Sequence, residues 1–241
     1  MHHNVLTNSK KQISAGRNFY LMLCFLLLSG CSRFQYVFID SHLNQNEKKE
    51  FITENDTVLI KYSFAGEDFP ITLTISNKLN QPLYIDWDRS VVVINNLQVN
   101  GPFYHEDQAN FITPLSSVIV TSNKLRSEFI KVDHNDPGIK FSSPENGLSG
   151  IKYRFDEKTT PLFFRNILAL TTNEDYSIPT FFDYSFWVSD IVQTNAGSSP
   201  MPYESLNRFF IRKATAAVNI MGWTALISVT ILAAAIGGPS E

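Results

Sequence analysis

The sequence predicts an all-β fold, an antiparallel sandwich, flanked by two hydrophobic terminal segments. Three observations predict it. Between about residue 51 and residue 213 apolar side chains recur with a period of two rather than 3.6, the alternation of half-buried strands. These stretches, about ten in all, are short and are separated by clusters of Asn, Asp, Gly, Pro and Ser, the punctuation of a sandwich. No part of that region carries an amphipathic helical pattern, and there is no internal repeat or low-complexity tract.

Taken in order, residues 1–30 read as an export signal with a helical apolar core. Lys10, Lys11 and Arg17 precede the apolar run 19–28. At about ten residues this run is too short to cross a hydrocarbon core of roughly 30 Å, but it suits a signal-peptide h-region. Residues 31–50 read as a tether: apolar residues 34–39 form either a first strand or an interfacial segment, and polar residues 40–50 follow. The β region spans 51–213. Residues 57–64 alternate, as do 71–77, which places Ile71, Leu73 and Ile75 on one face. Lys78-Leu79-Asn80-Gln81-Pro82 is turn chemistry, and 83–87 resumes the alternation. Residues 90–94 and 97–99 flank Asn95-Asn96, and Asn tolerates the positive φ that a two-residue hairpin turn demands. Later strands are expected at 117–121, 128–132, 150–155, 162–171, 182–194 and 207–212.

The tail, 214–241, has no charge from Ala214 to Ser240. Its run 218–236 approaches the ~20 residues of a membrane-spanning helix. Trp223 suits an interfacial position, with Leu226, Ile227, Ile231 and Leu232 in the apolar stretch and Gly237-Gly238-Pro239 as terminator. Arg208, Arg212 and Lys213 precede the run, however, which conflicts with the positive-inside rule if the β region is periplasmic. The run is also rich in small residues, which suit a helix in the bilayer or one packed on protein. Both placements stay open.

Composition excludes several classes of function. The net charge of −3 supplies no basic excess for nucleic-acid binding. Both cysteines, Cys24 and Cys31, lie in the signal region, so the mature domain is expected to have no disulfide, thiol nucleophile or thiolate metal site. Stability must then come from burial, for which 19 Phe, 9 Tyr and 3 Trp supply the rings.

Candidate chemistry is sparse. Asp86 and Asp88, two apart in Asp86-Trp87-Asp88-Arg89, would lie on one side of a regular strand, as an acid/base pair or half of a calcium site. A polar outer face is the plainer explanation. His105 in Tyr104-His105-Glu106-Asp107 and His134 in Asp133-His134-Asn135-Asp136 could together reach a metal. Neither has the spacing that pairs two imidazoles, so solvated loops are expected, with no metal and no cofactor. No nucleophile elbow or phosphate-binding loop occurs. Adjacent rings at Phe163-Phe164, Phe181-Phe182, Phe186-Trp187 and Phe209-Phe210 must point to both faces of their strands, so one set is core and the other needs a cover or a ligand.

The residues Leu28-Ser29-Gly30-Cys31 resemble the lipobox of bacterial lipoprotein signals. That resemblance implies cleavage before Cys31, diacylglycerol on its sulfur and acylation of the new amino terminus. Membrane lipid is thus an expected partner through Cys31. The succession of strand, Asn-Lys turn and strand ending in Trp87 looks like the opening of an immunoglobulin-like domain without its disulfide. Together with the aromatic, Asn-rich β region, these features are similar to uncharacterised cell-envelope lipoproteins of Bacteroidota. Surface-exported lipoproteins of that phylum often carry acidic residues after the cysteine. Ser32-Arg33-Phe34-Gln35 has none, which implies a periplasm-facing location. The expected role is a non-catalytic, lipid-anchored binding or assembly subunit of an envelope complex, with an envelope protein as partner. A module binding a glycan or hydrophobic molecule is the alternative, and an envelope hydrolase is the least supported.

Overall fold

The computed structural model describes residues 32–99, 101–103, 110–133, 138–143, 148–194 and 205–214. The chain divides into two compact units, Phe34–Arg212 and the paired segments Met1–Arg33 and Lys213–Glu241. The second unit lies almost wholly outside the described residues. So do the lipobox and the candidate membrane residues Trp223, Leu226, Ile227, Ile231 and Leu232. Among the described residues no helix is long and apolar enough to cross a membrane.

The unit Phe34–Arg212 is all-β. Its first strands are β1 (Ser32–Ser41), β2 (Asn44–Gln45), β3 (Phe51–Glu54), β4 (Val58–Ser63), β5 (Gly66–Glu67) and β6 (Thr72–Asn77). There follow β7 (Leu83–Ile94), β8 (Leu97–Val99), β9 (Phe111–Ile112) and β10 (Ser117–Thr121). The last are β11 (Ile139–Ser143), β12 (Leu148–Arg154), β13 (Phe163–Thr171), β14 (Thr180–Thr194) and β15 (Arg208–Ala214). One sheet runs β5-β15-β1-β14-β13-β7-β8, with β9 on β7 and the β11–β12 hairpin on β14; the other runs β10-β6-β4-β3-β2. Among the pairings described the strands run mostly antiparallel, and β15 with β5 is parallel. The 15-residue β14 organises the larger sheet. One of its edges carries β1, and the other carries β13 along 180–187 and β12 along 190–194.

The alternation in β4 and β6 is realised as expected. Ile71, Leu73 and Ile75 are fully buried, while Thr72 and Thr74 face outward. Between the sheets the rings of Phe51, Phe64, Phe69, Phe164 and Phe186 meet edge to face at 4.9–5.9 Å, the arrangement that ring quadrupoles favour. The Asn95-Asn96 turn has φ of 46° and 67° and joins β7 to β8 as the sequence implies.

Two expectations need correction, and one open choice is decided. Of the two readings of residues 34–39, the strand is the one realised: residues 32–41 form β1, hydrogen-bonded inside the large sheet. Alternation decided this: Val37 and Ile39 face the main core, and Phe34, Tyr36 and Phe38 enter a second cluster with Val192 and Phe210. Residues 128–132 are not a strand. They belong to an extended segment held where Gln35 in β1 donates to the Ile130 carbonyl at 3.0 Å and accepts its N–H at 2.7 Å. Residues 83–87 and 90–94 are one bulged strand, β7, rather than two.

Candidate functional site

Asp86 and Asp88 sit in that bulge. Pairing of β7 with β13 shifts between Ile167 and Ala169, so residues 87–90 have only Leu168 opposite them. The extra length breaks alternation and separates the two carboxylates: Asp86 is 6% exposed, whereas Asp88 is on the surface. Asp86 Oδ1 accepts the Arg89 N–H at 3.1 Å, and its Oδ2 lies 3.3 Å from Arg89 Nε. The Ser90 hydroxyl donates to the Asp86 carbonyl at 2.6 Å and accepts the Ala169 N–H at 3.0 Å. Each group satisfies a ladder position that the bulge would otherwise leave orphaned. Asp86 is therefore occupied in holding the bulge. Asp88 borders a shallow recess of about 160 Å³ with Trp87, Ser90, Gln98 and Phe103. Trp87 is half-buried against the main core, its ring 5.9 Å from Phe103. The structure does not bring a second carboxylate to Asp88 through the strand.

His105 and His134 lie outside the described residues. Among the described residues no cluster of three His, Cys, Asp or Glu side chains is placed to hold a metal.

The aromatic surplus resolves by face. Phe164, Phe182, Phe186 and Phe209 enter the main core. Of their neighbours, Phe210 joins the second cluster, Trp187 is covered with the His42 ring 4.9 Å away, and Phe181 is exposed. Arg208, one of the three basic residues ahead of the apolar tail, is buried with its guanidinium 5.7 Å and 5.5 Å from the Tyr36 and Phe38 ring centres. It is a packing cation of the fold.

The ends of β14 define two poles of the domain. Phe34 pairs with Thr194 at one end. Asn207 bonds to Ile39, and Phe210 packs on Phe34 and Tyr36, so β15 runs back along β1 toward that same end. The chain thus enters and leaves the domain at one pole. The opposite pole, at Thr180, gathers Phe111, Leu115, Ile178 and Phe181, four of the exposed large apolar side chains. The 15-residue strand between them spans about 45 Å at roughly 3.3 Å per residue.

A cavity of about 300 Å³ opens at the Thr180 pole. Its floor is Leu83, Leu170 and Phe182, the last core residues of β7, β13 and β14 at this end. The loop 172–179 forms one lip and is closely braced. Asn173 Nδ2 donates to the Ser177 carbonyl at 3.1 Å and to its hydroxyl at 3.0 Å, and the Thr171 hydroxyl donates to the same carbonyl at 2.9 Å. The hydroxyl and amide of Ser177 hold the Asp175 carboxyl below the ordinary carboxylate range. So braced, the loop keeps Tyr176 at φ 56° and Ile178 at φ 52°. A left-handed conformation is costly for a β-branched residue, and doubly unusual immediately before a proline. Alternation could have found the floor residues. The cavity itself depends on a loop conformation that periodicity does not encode.

No protein-family model matches the chain, and no curated protein matches it.

Proposed function

We propose that this chain is a lipid-anchored, non-catalytic binding or assembly subunit of a bacterial cell-envelope complex. In this reading its immunoglobulin-like sandwich faces the periplasm. One observation carries it: the domain's first and last residues share a pole, and four exposed apolar side chains, Phe111, Leu115, Ile178 and Phe181, gather at the other. Cys31 lies three residues ahead of Phe34, a reach of only about 10 Å. Lipid on Cys31 would therefore hold the shared pole at the bilayer and present the Thr180 pole to a partner. Tethering would raise the effective concentration for a membrane-held partner without any new contact. Asp86, the one buried carboxylate of the acidic pair, is consumed by the bulge, which weighs against an acid/base role for it.

Two measurements test this reading. Mass spectrometry of the mature N-terminal peptide should find Cys31 acylated and first in the chain. The native chain purified in mild detergent should retain a stoichiometric partner that Phe181→Asp releases. An unmodified Cys31, or a partner indifferent to Phe181→Asp, overturns the anchor or the polar presentation respectively.

A further inference from the structure

We infer that the cavity at the Thr180 pole binds a neutral sugar residue, free or at the end of a glycan. The inference stands on the cavity and not on the anchor, so either can fail without the other. The lining sets the chemical class. Every polar side chain around the cavity is a hydroxyl or an amide, and none is ionisable. A charged ligand would lose its hydration there without gaining a counter-charge. The walls also divide into spent and available groups. Asn55 Oδ1 accepts the N–H groups of Thr57 and Val58 at 2.9 Å each, and Thr171 is bonded to Ser177 and Asn173. These two shape the wall. On the rim, Thr57, Gln81, Thr172 and Thr180 spend no side-chain group on another described residue. Hydroxyls and amides that both donate and accept match the hydroxyls of a sugar, which do the same.

The floor supplies the complementary half. The Phe182 ring with Leu83 and Leu170 is an apolar patch suited to the C–H face of a pyranose. A purely apolar guest would bury that patch but leave the rim groups desolvated and unpaired. The volume, about 300 Å³, lies at the low end of ligand pockets, room for one ring rather than a lipid chain. The lip is preformed at an energetic cost. Ile178 is 86% exposed, held left-handed before Pro179, and gains no core contact in return. Strain of this kind persists where the surroundings over-determine it and clusters at ligand clamps.

The test uses the full chain in detergent micelles and the methyl glycosides of glucose, galactose and N-acetylglucosamine, observed by saturation-transfer NMR. At least one glycoside should receive saturation at millimolar concentration. The double variant Gln81→Ala, Thr180→Val should weaken it by about tenfold, the cost of one or two lost hydrogen bonds, with an unchanged melting temperature. Ile178→Gly, which removes the lip side chain and relaxes its φ, keeps the question open to test if the double variant misfolds. It should likewise weaken the glycoside while preserving the fold. Absence of saturation for all three glycosides overturns the proposal. So does glycoside binding that survives these variants.

Discussion

The hydroxyl of Tyr62 lies in the core between the two sheets with no hydrogen-bond partner among the described residues, beside Tyr184 at a ring separation of 6.1 Å. Asn166, fully buried opposite Tyr184 in β13, likewise has no partner for either amide atom among the described residues. An orphaned buried polar group costs about 1–3 kcal/mol. Tyr62→Phe should therefore stabilise the protein, by on the order of 1 kcal/mol in urea titration near neutral pH. Titration adds a second signature. Burial, followed by the neighbouring Tyr184 and Asp183, pushes the Tyr62 phenol well above its ordinary value. Its folded pKa is raised, so the associated stability is complete below about pH 10, where unfolded Tyr begins to ionise, and declines as pH rises beyond it. Tyr62→Phe should flatten that alkaline decline. A variant that is less stable than the parent at neutral pH and equally sensitive to alkali would mean that the phenol is bonded in solution.

At the scale of elements, β1 and the segment after β10 depend on each other. Gln35 is fully buried and offers its amide to both backbone groups of Ile130, imitating a strand where no strand continues. Gln35→Leu preserves volume but orphans an N–H and a carbonyl, at about 1–3 kcal/mol for each that cannot reach water. The expected outcome is local opening: the Ile130 amide should lose protection from hydrogen exchange while Leu73 in β6 keeps its own. Equal loss at both positions would show that the segment is cooperative with the sheets. Much of the β pattern was legible in sequence because burial on one face imposes a period of two. Hence the Ile71, Leu73, Ile75 face and the Asn95-Asn96 turn could be read directly. Elements whose position depends on distant partners were not legible. Gln35 lay in a segment whose pattern fitted a strand or an interfacial stretch alike, Ile130 looked like strand, and the Asp86–Asp88 spacing concealed a bulge that turns one carboxylate inward. The loop 172–179 gave no periodic signal, so the cavity it borders could not be foreseen.

At the scale of the molecule, both aromatic clusters are built from residues inside Phe34–Arg212, and the sheets are too, apart from the first residues of β1 and the last of β15. This bears on the tail, where length, lack of charge and Trp223 favour insertion while Arg212 and Lys213 oppose simple spanning. Arg208 no longer counts in that conflict, because the fold has already placed its charge against Tyr36 and Phe38. Under the proposed anchoring, diacylglycerol with an N-acyl group on Cys31 would exceed the single chain that anchors only marginally. If Cys31 is lipidated as proposed, a chain truncated after Lys213 should keep its sandwich and stay with the membrane, while losing any partner embedded in the bilayer. Circular dichroism, membrane fractionation and co-purification read the three outcomes separately. Ala233→Arg, deep in the apolar run, should reproduce the loss of partner at roughly 2.5–3.5 kcal/mol of insertion free energy. The decisive background is the truncation combined with Cys31→Ser, in buffer without detergent. If the sandwich stays folded there, the tail serves the membrane or a partner within it. If it unfolds, the tail is a covering element of the domain and the membrane assignment is wrong.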